Sequence, residues 1–211
     1  GLERHLEGPY APLDGAVELH LFEGGYLGLS HVEGGRINLA LVVTKAALAR
    51  HDRDPDVLLR CALAGNPAVA RVLDGRARVD GPWKSVGPLR FGARRPAAAG
   101  ALFVGDAAGT VDPFCGEGMS HALVAAALAA PAALRAAASG GLSAHDAGAY
   151  TRSWRRCFLS VTRRNRAIGR VLESPRGSRI GLGVLARSPA WVVPWIVRST
   201  RTGPRTAGGP S

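Results

Sequence analysis

Short runs of alternating apolar and polar residues fill the first part of the chain and predict antiparallel strands. The predicted strands are Val17 to Phe22, Tyr26 to Ser30 and Arg36 to Val43. A Glu-Gly-Gly sequence separates each strand from the next, and glycine pairs of this kind are typical of tight turns. We therefore expect a meander in which neighbouring strands pair antiparallel.

Helix-start signals follow the meander. Thr44 stands at an expected N-cap, and Asp54-Pro55 is predicted to open a helix that runs to about Ala64. Asn66-Pro67 predicts a third, short helix. The region from Ala77 to Leu89 contains two prolines, which lack the N–H that a sheet ladder needs, so we expect an irregular or edge strand there.

The second half of the chain has mainly helical periodicity. One exception is the apolar run Ala101 to Val104, which predicts a buried strand that leads directly into a loop. The Ala-rich segment from Gly116 to about Ala138 favours helix strongly, and Ser139-Gly140-Gly141 should end it. Another helix is predicted after Ser143 and should run to about Leu172.

The C-terminal part begins with this last helix and differs from the rest in charge. From Tyr150 onward there are thirteen arginines and one acid, a charge of +12, so the preceding residues sum to 11 − 12 = −1. We interpret the arginines as a solvated helix face first and as a docking surface for an anionic membrane or acidic partner second. Aromatic residues are too sparse among them to predict specific nucleic-acid binding. The apolar stretch from Ile180 to Val197 contains two prolines and an arginine, so short helices are expected rather than a bilayer span.

The 211 residues, 46% of them hydrophobic, are enough for one large domain or two small ones. The three cysteines lack the short paired spacing of metal or redox motifs, and no secretory signal opens the chain, so we expect a cytoplasmic protein without a metal. Sequence fixes no partner for His20, His31 or His121, and surface or hydrogen-bonded roles are favoured over catalysis. No catalytic residue is assigned.

One segment of the sequence has residues suited to binding a ligand. Gly105-Asp106 ends the predicted strand, where a carboxylate can accept hydrogen bonds from sugar-like hydroxyls and the glycine permits close backbone approach. Pro113 follows, and then Gly116, Glu117, Gly118 and Met119 open the Ala-rich helix. The free N–H groups at such a helix start suit an anionic or electron-rich ligand atom. Cys115 lies beside this start, and packing is favoured over reactivity for it.

This pattern resembles the second flavin-binding signature of group A flavin monooxygenases and geranylgeranyl reductases. The resemblance implies that Asp106 binds the ribityl chain of FAD, that the amides from Gly116 to Met119 face the N1 and O2 edge of the ring, and that Pro113 packs on it. It extends to the paired segments Gly25 to Leu29 and Gly35 to Leu39, which resemble strands of the substrate domain. It also implies NAD(P)H as electron donor and a hydrophobic or polycyclic small molecule as substrate, with oxygenase and reductase outcomes both open.

The Gly-x-Gly-x-x-Gly fingerprint that binds the pyrophosphate in those enzymes is not found in the sequence. We therefore expect an α/β (α+β) fragment, with the dinucleotide-binding N-terminal half truncated or supplied by another chain. Residues 1–98 should be part of a substrate domain, 99–140 the second half of an FAD-binding domain, and 141–211 a basic helical region. The alternative is a non-catalytic binding module whose basic tail docks on an anionic partner.

Overall fold

The computed structural model describes residues 1–7, 15–67 and 78–201 of the chain. The strands are β1 (Leu2–Glu7), β2 (Val17–Phe22), β3 (Gly25–Val32), β4 (Arg36–Val43), β5 (Arg78–Ser85), β6 (Gly92–Ala93), β7 (Ala97–Ala98), β8 (Ala101–Leu102) and β9 (Gly109–Thr110). The helices are α1 (Lys45–Arg50), α2 (Pro55–Ala64), α3 (Gly118–Ser139), α4 (Ala144–Glu173), α5 (Pro175–Arg187) and α6 (Val192–Thr200).

The fold consists of two compact units. Unit 1 contains residues 1–89 and 170–186, and unit 2 contains residues 90–169 and the segment that begins at Arg187. Helix and antiparallel sheet occur together, which confirms the predicted fold class. The assignment of residues 1–98, 99–140 and 141–211 to three functional regions stays a prediction.

Unit 1 is built on a five-stranded antiparallel sheet with the order β2-β3-β4-β1-β5. The predicted meander is confirmed as β2, β3 and β4, joined by the two Glu-Gly-Gly turns. Alternate residues along β3 and β4 point into one core and are almost completely buried: Leu27, Leu29, Ile37, Leu39 and Leu41. This period of two places one apolar face of the sheet in the core.

Strand β1 was not predicted from sequence, because its charged residues obscure an apolar alternation of only two buried leucines, Leu2 and Leu6. It lies between β4 and β5. Strand β5 is at the sheet edge, and its pairing with β1 shifts register between Glu3 and His5, which confirms the irregular edge strand.

One polar cluster ties three elements of unit 1 together. The Nη1 atom of Arg4 on β1 donates to Oδ1 of Asp56 on α2 at 2.7 Å, and the indole N–H of Trp83 on β5 donates to the same oxygen at 3.0 Å. The Arg4 guanidinium also lies 4.5 Å from the centre of the Trp83 ring. These contacts pair a largely buried cation with a carboxylate and an aromatic ring, although the buried Nε of Arg4 has no hydrogen-bond partner among the described residues.

The helix starts predicted in unit 1 are confirmed. The Thr44 hydroxyl accepts from the N–H of Ala47 at 3.1 Å, and a carboxylate oxygen of Asp54 accepts from the N–H groups of the first turn of α2. The short helix predicted from Asn66-Pro67 would run into residues 68–77, which lie outside the described residues.

Unit 2 corrects one sequence prediction. Ala101 to Val104 was expected to lie as a buried strand within a sheet, but β8 contains only Ala101–Leu102 and pairs only with β7. Val104 is 38% exposed. The prediction is wrong because a strand inside a sheet needs a neighbour on each side, and the described part of unit 2 places only Ala97–Ala98 beside this one.

Two long helices form the core of unit 2. Tyr150, Trp154 and Phe158 on α4 pack with Ala125 and Ala129 on α3. Gly140 ends α3 in the left-handed conformation, with φ of 77°, as the Ser-Gly-Gly sequence predicted. The next helix starts as predicted, because the N–H of Asp146 donates to the Ser143 hydroxyl, which itself donates to the Asp146 carboxylate.

Helix α3 has one buried and one exposed side. It is 22 residues long and, among the described helices, it alone is long and apolar enough to cross a membrane by length and composition. Only 17% of the apolar 18-residue stretch within this helix is buried. Its exposed side chains include Met119, Leu123 and Leu134, which are 81%, 73% and 71% exposed.

The arginines of α4 lie on its solvent-exposed side, as the sequence predicted. The exposed residues are Arg152, Arg155, Arg156, Arg163, Arg164, Arg166 and Arg170. The apolar stretch that follows forms two short helices, α5 and α6, as expected. Gly181 and Gly183 are closely spaced glycines, but they lie inside α5. They therefore cannot form the turn between a strand and a helix that binds a pyrophosphate.

Candidate functional site

The Gly-Asp turn lies directly against the start of α3. Gly105 has φ of +54°, and a Cβ atom placed on it would stand 3.2 Å from the Cβ of Ala122. Glycine is therefore needed both for the backbone conformation and for the close approach of the turn to the helix. The backbone contact expected with a ligand at Gly105 is, in this structure, a contact with α3.

The carboxylate of Asp106 lies at the surface of this turn. Its residue is exposed, and within the described parts of the chain no hydrogen bond to its side chain is found. A carboxylate offers about four acceptor sites, so this one retains its full capacity to accept hydrogen bonds from a ligand. This is the chemistry expected of it from the sequence.

The loop between the turn and α3 is held by Asp112. Its side chain is buried, accepts from the N–H of Phe114 at 3.3 Å, and begins a short 3₁₀ turn, Pro113–Cys115. Gly116 ends that turn in the left-handed conformation, with φ of 66°. Pro113 is exposed. Sequence reasoning missed Asp112, although an Asp directly before proline is a recognisable turn and cap signal.

The first turn of α3 is open at its N-terminus. Glu117 is the N-cap residue, yet its side chain makes no capping hydrogen bond and is 8% exposed. The first N–H to bond within the helix is that of His121, which donates to the Glu117 carbonyl at 2.8 Å. The amides of Gly118, Met119 and Ser120 precede it and have no intrahelical acceptor. A Cβ atom on Gly118 would meet nothing within 4 Å, so open space lies next to these amides.

His121 is the functional candidate that sequence reasoning placed wrongly. It is neither at the surface nor hydrogen-bonded: it is 1% exposed, and neither ring nitrogen has a partner in the described structure. Its ring makes an edge contact with Phe158, with centroids 4.0 Å apart, and lies 5.8 Å from Trp154. The signal in the sequence was its spacing from Ala125, which places a histidine on the buried stripe of the helix.

The charges that act on His121 come from two separate parts of the motif. Burial lowers the pKa of His121, while the charges of Asp106 and Glu117 act in the opposite direction. Both carboxylates are therefore close enough to influence one imidazole. The structure thus brings the Gly-Asp turn and the start of α3 together around a buried, neutral histidine.

Cys115 is a packed thiol. Burial, followed by the charge of Asp112, raises the pKa of Cys115 to about 12, and its Sγ donates to the Asp112 carbonyl at 3.1 Å. A thiol with so high a pKa is a poor nucleophile at neutral pH. The interpretation of Cys115 as a packing residue is supported by this environment.

The other two histidines considered as acid/base groups lie in unit 1. His31 is exposed. The Nε2 atom of His20 lies 2.8 Å from Oε2 of Glu18, so this histidine has a carboxylate partner that the sequence did not reveal. Because alternate strand residues point to the same face, a partner two positions away on β2 is within reach.

Unit 1 also contains a cleft of about 620 Å³ beside β2 and α2, lined in part by Phe22, Glu23, His51 and Cys61. It includes no residue of the Gly-Asp or Gly-Glu-Gly-Met segments. Among the described residues, no three His, Cys, Asp or Glu side chains form a group that could hold a metal ion.

Comparison with known proteins identifies solved structures that have a similar fold. No family model and no curated protein matches the sequence. The flavin-dependent brominase Bmp2 is similar over 96% of this chain and 50% of its own, with a TM-score of 0.67 and 17% identity. A geranylgeranyl bacteriochlorophyll reductase-like protein from Thermoplasma acidophilum is similar over 94% of this chain and 50% of its own, with a TM-score of 0.66 and 17% identity.

The flavin-dependent halogenase CmlS is similar over 96% of this chain and 34% of its own, with a TM-score of 0.59 and 18% identity. The chain thus spans half the length, or less, of these solved structures. Identities this low establish the fold alone. The resemblance predicted from the motif is confirmed at that level: the chain has the fold of part of the flavin-dependent halogenases and of a geranylgeranyl reductase-like protein.

Proposed function

We propose that this chain is the part of an FAD-dependent oxidoreductase that holds the ribityl chain and the ring edge of the flavin. The observation that carries the proposal is the arrangement at the start of α3. There the Asp106 carboxylate, which has no hydrogen-bond partner among the described residues, acts on the buried His121 in the first turn of α3, and the helix start has no side-chain cap.

The residues present fit this part of the cofactor. The Asp106 carboxylate would accept hydrogen bonds from ribityl hydroxyls, and the α3 amides with the positive end of the helix dipole would stabilise negative charge at the N1 and O2 edge. The open space at Gly118 leaves room for a ring edge to approach the backbone. The exposed Pro113 would pack on the ring. A flavin held by these residues would supply the redox chemistry, with NAD(P)H as the proposed electron donor and oxygenation or reduction as the outcome.

The pyrophosphate of FAD needs a cradle that this sequence lacks. We infer that a dinucleotide-binding half, carrying the Gly-x-Gly-x-x-Gly fingerprint, completes the enzyme from elsewhere on the same polypeptide or from another chain. Two observations support this: this chain matches only half the length of the solved structures of the same fold, and α3 exposes an apolar side that includes Leu123 and Leu134. Surfaces of this kind mark interaction sites. We propose that the missing half covers the exposed side of α3.

The substrate is proposed to be a hydrophobic or polycyclic small molecule presented by the five-stranded sheet of unit 1. That placement follows from the likeness of its strands to the substrate-domain strands of related enzymes. The low identity of all comparisons leaves oxygenation, halogenation and reduction as alternatives within one cofactor class.

The test is a set of FAD titrations on the protein that contains both halves. Asp106→Ala should weaken FAD binding about ten- to a hundredfold, because it removes charge-assisted hydrogen bonds worth roughly 1.5–3 kcal/mol. Gly118→Val should also weaken it, because a Cβ atom at this position meets nothing within 4 Å, so the added side chain would occupy the open space at the α3 amides.

The matched controls are His31→Ala, which changes an exposed residue of unit 1, and Gly148→Ala, which changes a glycine on α4. Both should bind FAD like the parent protein. Circular dichroism establishes that all four variants fold. Parent-like affinity in Asp106→Ala and Gly118→Val would overturn the proposal, and so would tight stoichiometric FAD on the present chain alone.

A further inference from the structure

The two C-terminal helices each expose the same pattern of side chains. At α6, the N-cap residue Trp191 and the helical residue Trp195 are 66% and 62% exposed, and Arg198 follows one turn later. On α5, Ile180 and Val184 are 68% and 60% exposed, and Arg187 follows one turn later. In both helices the spacing is i, i+4 and i+7, which places the three residues on one face.

Such exposure is unusual for tryptophan. An indole ring buries a large apolar area in most proteins, and two exposed rings one turn apart form an apolar surface that water solvates poorly. Trp83 and Trp154, the other two tryptophans, are half-buried and buried in the two units. The surface at Trp191 and Trp195 is therefore a local feature of α6 rather than a general property of the chain.

The positive charge of the two helices indicates which kind of partner they can bind. The segment from Ser174 to Arg201 contains five arginines and no acidic residue. A second copy of the chain would bring two cationic faces together, which costs electrostatic free energy. A partner with negative charge at its surface and apolar groups beneath fits better, because arginine would meet the charge while the rings enter the apolar layer.

We propose that each of these two helices, α5 mostly in unit 1 and α6 in unit 2, is by itself able to bind the headgroup region of an anionic lipid bilayer. Helices with arginine and exposed Trp, Ile or Val on one face lie in the plane of the interface, and indole rings prefer the depth of the headgroups. Nucleic acid does not account for the exposed residues of α5, because bases stack on aromatic rings but not on Ile180 and Val184. This inference does not depend on flavin binding.

The experiment uses the full chain and vesicles in flotation assays. The chain should float with vesicles that contain phosphatidylglycerol and much less with phosphatidylcholine alone. Its tryptophan emission should shift to the blue on binding, because Trp191 and Trp195 leave water. Trp191→Ser/Trp195→Ser should bind at least about tenfold more weakly, since burying two indoles contributes more than 1.4 kcal/mol. Arg187→Gln/Arg198→Gln should bind more weakly and show a smaller salt dependence, because three of the five arginines remain.

The matched control is Leu123→Ser/Leu134→Ser, which removes two side chains of similar exposure from α3 and should bind vesicles like the parent. All substituted positions are exposed, so circular dichroism spectra should not change. Three results would each overturn the proposal: no binding to anionic vesicles, equal binding by the Trp191→Ser/Trp195→Ser variant, or equal loss in the α3 control. Binding of a single-stranded oligonucleotide but not of vesicles would also overturn it and would assign the surface to nucleic acid.

Discussion

The carboxylate of Asp112 lies against the backbone of Gly169 on α4, so closely that a Cβ atom on Gly169 would stand 2.6 Å from Oδ2. Contacts that short are not tolerated, and Gly169→Ala must displace the loop that leads to α3. We expect the free energy of unfolding to fall by about 1–3 kcal/mol. Urea denaturation followed by circular dichroism measures it.

The same helix offers a control for that substitution. At Gly148 the nearest atom to an added Cβ is the flexible end of the Arg152 side chain, at 3.3 Å. Gly148→Ala should be neutral or stabilising, because alanine favours helix over glycine by up to about 1 kcal/mol. If both variants lost equal stability, the contact with Asp112 would not be the cause.

The stability of the protein should depend on His121 in mildly acidic solution. The folded state holds the pKa of His121 below its ordinary value of 6.5, whereas the unfolded chain has the ordinary value. Above pH 6.5 the imidazole is neutral in both states. As pH falls through 6.5, the unfolded state binds a proton that the folded state does not, so the free energy of unfolding decreases down to the lowered pKa.

Unfolding measured between pH 8 and pH 5 tests this dependence. His121→Leu should reduce the loss of stability at acid pH, and at pH 8 it should be as stable as the parent or more so, because it removes two ring nitrogens that have no partner among the described residues. The exposed His31 gives the comparison: His31→Asn should keep the parent's pH profile. An unchanged profile in His121→Leu would contradict the assignment.

Local signals in the sequence were enough for much of the fold. Thr44 and Asp54 start α1 and α2, and Gly140 ends α3, because caps depend on residues three or four positions away. The strand expected at Ala101 to Val104 depended instead on neighbours distant in the sequence, and only β7 lies beside it. Sequence pattern reports that a segment is apolar, not which strands flank it.

For the candidate site, too, the sequence predicted the local features and missed those that depend on distant residues. The motif predicted a turn at Gly105-Asp106 and a helix start near Gly118, because glycines and helix starts are encoded locally; that these residues form one cofactor site stays a prediction. The motif did not predict that His121 is buried without a hydrogen-bond partner among the described residues, or that Asp112 packs on Gly169, because both facts arise where α3 and the loop before it meet α4. Packing between distant elements decides such environments.

Cys115 should resist alkylation. Because its pKa is raised to about 12, almost none of it is thiolate at pH 8, whereas Cys61 and Cys157 are exposed. Iodoacetamide at pH 8, followed by mass spectrometry of peptides, should show rapid labelling of the two exposed cysteines and slow labelling of Cys115. Denaturant should abolish the difference. Equally rapid labelling of Cys115 in the folded chain would show a reactive thiol beside the start of α3.

The exposed side of α3 should matter for assembly and not for the stability of this chain. Leu123→Lys/Leu134→Lys changes two side chains that are more than 70% exposed, so the free energy of unfolding should stay within about 0.5 kcal/mol of the parent. If a dinucleotide-binding half covers this side, the same variant should fail to bind that half, because two ammonium groups would be buried in an apolar contact. Val17→Lys adds a charge at an equally exposed position on β2 and should bind it normally. Urea denaturation of the chain and size-exclusion chromatography of the mixed halves measure the two effects, and normal assembly of the α3 variant would show that another surface joins the halves.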